Sequence, residues 1–307
     1  MIRLTSQDPI PDELHGAVMA LGNFDGVHAG HQAVIGRAVD LGRAKGRPVI
    51  VATFDPHPVR HFKPDAAPFR LTSLDQRQTL FAELGADAMM VFAFNAELAG
   101  TSAEDFVTRL LAERFHLSGV VTGSDFTFGK GKRGNVAMLA ALGPGVGIEA
   151  VAVDPVLATG GAVSSSRIRE ALWAGDPQEA ARLMTRPFAI RGIVQHGDKV
   201  GRTIGYPTAN IDLGTYIRPK YGIYAVTGHL PDGRVLKGAA SLGIRPTFDP
   251  PKELLEPFFF DFSEDLYGQE IEVAFHHFLR PEAKFDSLDA LVAQMDRDCE
   301  RARELLA

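Results

Sequence analysis

Apolar positions along this chain fall into two textures that change near residue 185. Before that point, short and nearly continuous apolar runs alternate with stretches of helical spacing. Ala17–Leu21, Pro48–Phe54, Ala88–Phe94, Gly119–Thr122 and Gly147–Val153 predict five strands buried on both faces. Gln32–Lys45 and Ser102–Phe115 carry the helical period. Ser102-Ala103-Glu104-Asp105 gives the second a start like a capping box. Strands alternating with helices predict an α/β unit with a parallel sheet covered on both sides.

After Arg186-Pro187, strand-like runs follow one another without helices between them. They are Phe188–Val194, Gly222–Leu230, Val235–Leu242, Phe258–Phe262 and Glu270–Phe278, with a turn at Pro231-Asp232-Gly233. This texture predicts an antiparallel barrel or sandwich. A helix from Ser287 closes the chain, with Leu288, Leu291, Val292, Met295, Cys299, Ala302 and Leu305 on one face. The break predicts two domains, 1–184 and 185–307.

Composition narrows the classes. A length of 307 residues with 45% hydrophobic and 23% charged content suits two ordinary globular cores. A net charge of −6 gives no basis for a nucleic-acid partner, because backbone phosphate binding needs clustered positive charge. The single cysteine, Cys299, excludes an internal disulfide and a Cys-based zinc cluster, and its apolar neighbours make it a core residue. No apolar run approaches the ~20 residues of a membrane span, and MIRLTSQDPIPDEL has no signal-peptide core. The expectation is a cytoplasmic chain with no membrane partner, monomeric or weakly self-associating.

The chemistry concentrates where predicted strands end. Gly22-Asn23-Phe24-Asp25-Gly26-Val27-His28-Ala29-Gly30-His31 turns from the first strand into a helix. Glycines and a helix N-terminus let backbone N–H groups approach phosphate oxygens, and two imidazoles can steady negative charge during transfer. His57 follows the second strand between two prolines, and reads either as a rigid turn or as a site residue. Asp125 and Phe128 lie in Gly123–Gly129 after the fourth strand; Asp125 reads also as a turn cap. Ser164, Ser165 and Ser166 precede Arg167–Trp173. They read as a helix start, or as phosphate ligands with Arg169 neutralising pyrophosphate. Ligands of open parallel sheets bind at carboxyl strand ends, so these four clusters predict one rim. The basic loop Gly129–Asn135 is either mobile or phosphate-contacting.

In the second part, His196–Asn210 spaces Gly197, Gly201 and Gly205 four residues apart before Pro207-Thr208-Ala209-Asn210. Spaced glycines permit close backbone approach to phosphates. Thr208 and Asn210, two apart in an extended segment, present hard oxygen donors to one side, suited to Mg²⁺. No GK[ST] precedes a helix, so this is not a P-loop. The bland alternative is a glycine-rich barrel loop. Glu256 stands just before Phe258–Phe262, at the mouth of an apolar strand, where a carboxylate can accept a proton; taken alone, it reads first as a surface glutamate.

GNFDGVHAGH, TFDPHP, GSDFTFG with Gly134-Asn135, SSSRIR, GYPTAN, SLGIRPTF and DFSEDLYGQ occur in this order over nearly the whole chain. Together they resemble the prokaryotic bifunctional riboflavin kinase/FAD synthetase family. The resemblance implies an N-terminal Rossmann-like nucleotidylyltransferase domain that adenylates FMN. It implies a C-terminal six-stranded antiparallel barrel that phosphorylates riboflavin to FMN, with ATP as co-substrate, Mg²⁺ as cofactor and FAD as final product. By motif, His28 and His31 would stabilise the triphosphate. Gly22, Asn23, Phe24, Gly30 and Ser164–Arg169 would bind ATP, while His57, Asp125, Phe128 and Asn135 would line the flavin or adenine pocket. Gly197–Gly205, including Lys199, would cover the kinase ATP, Thr208 and Asn210 would hold Mg-ATP, and Glu256 would be the general base.

Two departures bear on this. Ser166 stands where the family more often has Thr, which keeps the hydroxyl. Around the base the run is Glu253-Leu254-Leu255-Glu256-Pro257, so Glu253 competes with Glu256 for the role. Two rival readings stay open: a single-activity nucleotidylyltransferase with a structural barrel, and a flavin-binding protein that consumes no ATP. PTAN and Glu256 oppose the first, and two triphosphate-type sites oppose the second.

Overall fold

Strands without a polar face need cover on both sides, and helices provide it in the first of two units. The computed structural model describes residues 1–196, 205–245 and 252–307. Contacts divide it into Met1–Ala67 with Leu74–Val163, and Pro68–Ser73 with Ser164–Ala307.

The first unit contains β1 (Ile2–Thr5), β2 (Val18–Leu21), β3 (Val49–Asp55), β4 (Ala88–Ala93), β5 (Gly119–Gly123), β6 (Thr127–Phe128), β7 (Gly134–Asn135), β8 (Glu149–Val153), β9 (Leu157–Ala158) and β10 (Gly161–Ala162). Its six-stranded sheet runs β1-β4-β3-β2-β5-β8, parallel throughout. The period-two alternation of each strand divides its side chains between two cores. Val18, Ala20, Val49, Val51 and Met89 meet α1 (Ala29–Lys45) through Val34, Ile35 and Ala38. Met19, Leu21, Ile50, Ala52 and Met90 meet Phe106, Val107 and Leu111 on the other face. Further helices are α2 (Pro58–Phe62), α3 (Leu74–Glu83), α4 (Ala96–Gly100), α5 (Ala103–Asp105) and α6 (Val136–Leu142). Ser102 caps α5 by accepting from Asp105 N at 3.0 Å, and a π-helix, Phe106–Arg114, continues it.

The predicted strands are present with shifted ends, and β1 is added at the sheet edge. Four residues with one buried side chain, Leu4, carry too little pattern to read from the chain.

The second unit is the closed six-stranded antiparallel barrel that the resemblance implies, one of the two architectures left by the strand pattern alone. β11 (Phe188–Gln195), β12 (Asn210–Asp212), β13 (Gly222–His229), β14 (Val235–Arg245), β15 (Lys252–Phe259) and β16 (Glu270–Arg280) close in the order β11-β12-β15-β14-β13-β16. All six pairings are antiparallel. Closure leaves no edge strand. Phe188, Tyr224 and Phe275 fill the centre, with the Phe275 ring 5.6 Å from Phe188 and 5.0 Å from Tyr224. Two helices precede the barrel, α7 (Ser165–Ala174) and α8 (Pro177–Met184). The segment Pro68–Ser73 joins this unit: Arg70 N donates to Thr215 O (3.1 Å), and Ile217 N to Arg70 O (2.8 Å).

Two expectations are corrected here. The strand read as Phe258–Phe262 runs from Lys252 to Phe259, and the chain turns at Asp261 with φ +56°. Glu256 is therefore an interior strand residue. The C-terminal helix, Leu288–Leu305, covers the barrel through Cys299, Ala302 and Leu306 against Ala225, Ala239 and Phe260, but Leu288 is 57% exposed. Among the described residues, no helix is long and apolar enough to cross a membrane.

Candidate active sites

In the first unit, β2 ends at Leu21 and the chain reaches α1 through a tightly bent loop. Phe24, Gly26 and Val27 take φ of +48°, +89° and +40°. Positive φ is uncommon outside glycine, and for β-branched Val27 it is a strained state of about 1–3 kcal/mol that surrounding contacts must hold. His28 caps α1, its Nδ1 accepting from His31 N at 3.3 Å. Accepting at Nδ1 leaves the neutral ring's proton on Nε2. The His28 and His31 rings stack with centroids 3.5 Å apart and planes 18° apart, and Phe24 meets His31 edge-on at 5.2 Å. A Cβ at Gly30 would lie 3.2 Å from His28 Cε1, tighter than an ordinary contact, so glycine relieves crowding against this ring. At Gly22 a Cβ would stand 3.0 Å from the Phe24 ring.

The sheet is parallel, so β2, β3 and β5 end on one edge, which brings three of the four polar clusters to a common rim. His57 caps α2, its Nδ1 accepting from Val59 N at 3.2 Å. Asn135 caps α6, its Oδ1 accepting from Met138 N at 3.0 Å. Asp125 is exposed. Phe128 is buried, 5.2 Å from Phe106 and 6.0 Å from Phe126 between centroids. The β6–β7 ribbon pairs Thr127 with Asn135 and Phe128 with Gly134, joining GSDFTFG to the Gly134-Asn135 pair.

Ser164, Ser165, Ser166 and Arg169 group with the second unit. Ser164 caps α7 by accepting from Arg167 N at 3.3 Å. Arg169 Nε donates to Phe69 O at 2.8 Å, and its guanidinium lies 5.3 Å from the Phe69 ring centroid.

In the barrel, Thr208 leads into β12, which Asn210 opens. The ladder Ile211↔Leu255 and Asp212↔Leu254, with Ala209 N donating to Pro257 O at 3.0 Å, sets Asn210 across from Glu256. On its other side Glu256 pairs with Ser241 of β14. Directly opposed residues share a face with Cβ atoms ~5 Å apart. Ser241, Glu256 and Asn210 thus form a row across three strands, with Thr208 next along β12's extension. Pro257 supplies only an acceptor to this ladder, as its missing N–H requires. A cavity of about 370 Å³ is lined in part by Thr208, Pro257, Phe259, Glu264 and Tyr267; on β15, Pro257 and Phe259 are the positions that alternate with Glu256, which is not among its lining residues.

Glu253 is committed elsewhere. It accepts from Arg218 Nε at 2.8 Å and from the Tyr221 hydroxyl. Burial raises its pKa, but these two donors outweigh burial and hold the carboxyl below the usual carboxylate range. Burial and Glu253 together push Tyr221 up to about 12. Burial and neighbouring Asp298 push the Cys299 thiol up to about 11, which suits a packing role. Gly205 is described, with φ +85°, whereas Gly197, Lys199 and Gly201 lie outside the described residues.

Several residues of these sites escaped the sequence reading. Arg77, Thr53 and Asp25 lock the loop before His28 from inside the core. The Tyr206 hydroxyl donates to Asp296 on the C-terminal helix, and the Tyr206 ring meets Phe258 at 5.0 Å. Asp25 sits within the Gly22–His31 motif, but its partner is 52 positions away and no local pattern announces it.

Comparisons with known proteins agree with this layout. A FAD synthetase family model matches residues 10–167, and a riboflavin kinase family model matches 184–306. A bifunctional riboflavin kinase/FMN adenylyltransferase of Escherichia coli K12 is 38% identical over 289 residues, 94% of this chain and 92% of its own. A relative of the same name from Pseudomonas fluorescens is 40% identical over 296 residues, covering 96% and 94%. A Streptococcus pneumoniae crystal structure, described as a macrolide-efflux protein, matches with TM-score 0.88 and 31% identity over 99% of both chains. That description belongs to that protein; the shared fold is what the match carries. By both family models and by identity over nearly its full length, the chain belongs to the bifunctional riboflavin kinase/FMN adenylyltransferase family.

Proposed function

We propose that this chain phosphorylates riboflavin to FMN with one ATP and adenylylates FMN with a second, releasing FAD and pyrophosphate. The observation that carries the reading is the presence of two phosphate-handling constellations in one chain. One is the His28–His31 stack at a helix start; the other is the Thr208–Asn210 segment beside Glu256. Function divides between 1–184 and 185–307, although helices α7 and α8 group with the barrel by contact. The riboflavin kinase match over 184–306 speaks against a merely structural barrel.

The two transfers ask for different groups. Riboflavin's ribityl hydroxyl is a poor nucleophile, so its attack on the γ-phosphorus needs a proton acceptor. Glu256 takes that proton, held in register between Ser241 and Asn210, while Glu253 is engaged by Arg218 and Tyr221. The FMN phosphate, with a second pKa of about 6, is already mostly dianionic at neutral pH and needs no base. At that site the task is bringing anions together. His28 offers its Nε2–H toward phosphate oxygen, supported by the Nδ1 cap bond, and His31 stacks against it. Gly22, Asn23, Phe24 and Gly30 admit the ATP phosphates. Ser164, Ser165, Ser166 and Arg169 serve to bind ATP in this reading, with Arg169 neutralising charge on the leaving pyrophosphate. His57, Asp125, Phe128 and Asn135 border the flavin or adenine.

Thr208 and Asn210 fit Mg²⁺: they are neutral oxygen donors in an extended segment, and Mg²⁺ takes few protein ligands, completing its shell with water and phosphates. When bound, Mg²⁺ offsets charge on the ATP phosphates. The reading sets the chain in the cytoplasm, where ATP is supplied. Following riboflavin, FMN and FAD by chromatography during incubation with Mg-ATP tests it. FMN followed by FAD is expected; FAD formation from FMN without any conversion of riboflavin would overturn the kinase half.

A further inference from the structure

Arg77 is a fully buried arginine, and no phosphate-handling motif includes it. From α3 its Nη2 donates to Asp25 Oδ1 at 2.9 Å, and the partner carboxylate is also buried. Its Nη1 donates to Thr53 Oγ1 at 3.0 Å and reaches the Asn23 carbonyl at 3.5 Å. Thr53, fully buried on β3, donates its own hydroxyl to that carbonyl at 2.6 Å. Asn23 and Asp25 belong to the loop that delivers His28, and the residues around Asp25 hold positive φ at Phe24, Gly26 and Val27.

Stability alone does not call for an ion pair at such a place, because apolar groups of similar volume often serve as well. An ion pair adds direction. A planar guanidinium fork that reaches Asp25, Thr53 and the Asn23 carbonyl favours one loop path, and the close bond from Thr53 restrains that carbonyl. We infer that Arg77 is a positioning residue for adenylyl transfer, with Thr53 as its relay: together they hold the strained Asn23–Val27 path and so aim the His28 ring. The inference rests on the proposed phosphate-steadying role of His28.

The test uses the full chain with Arg77→Met, Arg77→Lys and Thr53→Val, measuring FAD formation from FMN at saturating ATP. Riboflavin phosphorylation in the same preparations reports the other active site. Misaiming a catalytic group by about 1 Å costs on the order of 100-fold. We expect Arg77→Met and Thr53→Val to lower kcat for FAD formation about 10- to 100-fold with riboflavin phosphorylation unchanged. Arg77→Lys should recover part of it, since an ammonium reaches Asp25 but cannot span to Thr53. In a His28→Ala background Arg77→Met should cost less than about threefold more, because the group it aims is gone.

If Arg77→Met does not fold, Thr53→Val, which deletes one hydroxyl at nearly constant volume, decides the matter. A kcat within about twofold of the parent in Thr53→Val, or losses that multiply fully with His28→Ala, overturns the positioning role. Absence of FAD formation by the parent chain overturns the underlying reading of the site, and the inference falls with it.

Discussion

Ser241 and Glu256 are direct partners across the β14–β15 ladder, and the β12 register puts Asn210 on the other flank of the same carboxylate. Glu256 is therefore held in mid-strand, where backbone pairing on both sides fixes its direction. A carboxylate on a loop would sample more directions, whereas a ladder position is set by register.

This arrangement predicts a separation of activities. Glu256→Ala is expected to lower FMN formation by about 10²–10⁴-fold, the usual worth of a positioned base, and to spare FAD formation from supplied FMN. His28→Ala should do the reverse. Separate assays of the two conversions check this; equal loss of both activities in both variants would refute the division of roles.

Tyr206 ties the Pro207–Asn210 segment to the C-terminal helix through Asp296. Burial first, and Asp296 second, raise the phenol's pKa well above the usual tyrosine value, so it stays a donor throughout the working range. Tyr206→Phe removes the tether and keeps the ring against Phe258. A loss of about 1 kcal/mol, or roughly fivefold in KM for Mg-ATP, is expected in riboflavin phosphorylation. FAD formation from FMN should not change, and an unaltered kinase KM would show that the helix does not position this segment.

His276 predicts a pH dependence of stability. Burial first, then His277 and His229, lowers its pKa from the ordinary 6.5, and its Nε2 lies 2.9 Å from Thr227 Oγ1. The fold favours the neutral ring. This contribution is fully present above pH ~6.5 and is lost as pH falls through the lowered folded value, because the unfolded chain takes up the proton first. Urea midpoints should therefore drop between pH 7.5 and 5, and His276→Gln should flatten that slope. A slope unchanged by the substitution would place the acid sensitivity elsewhere.

Gly238 marks a close approach of β14 to β15. A Cβ there would sit 2.3 Å from the Phe258 carbonyl oxygen, a backbone atom that cannot step aside. Gly238→Ala is expected to destabilise the barrel by about 1–3 kcal/mol, the usual cost of overpacking. Thermal melting monitored together with riboflavin phosphorylation checks it, and a melting temperature within about 1 °C of the parent would contradict the clash.

How far the chain could be read beforehand depended on the range of the interactions. The Gly22–His31 turn, the capped start at Ser102 and the apolar strands were legible because the responsible contacts lie within a few residues. The edge strand β1 and the short β12 were not, since four and three residues carry no usable period. The run of phenylalanines marks a strand at 258–262 with Glu256 at its mouth, whereas β15 begins at Lys252, where Glu253 and Lys252 hide the period. Spacing to Asp261-Phe262 favours Glu256 over Glu253 in the chain, and the contacts of Glu253 with Arg218 and Tyr221, 35 and 32 positions away, carry no local pattern.

The sequence by itself determined the two textures, the alternation that splits side chains between two faces, and the glycine-rich turn that leads to His28. These are local matters of period, sterics and backbone freedom. The motifs, through the resemblance they carry, already implied the six-stranded barrel; only the tertiary structure decided its strand order, that Asn210, Glu256 and Ser241 share one row, and that Arg77 reaches Asp25 and Thr53. Register and buried pairing are cooperative properties of segments far apart in the chain. A carboxylate and a guanidinium 52 residues apart have no reason to meet until the sheet and its covering helix exclude water around both.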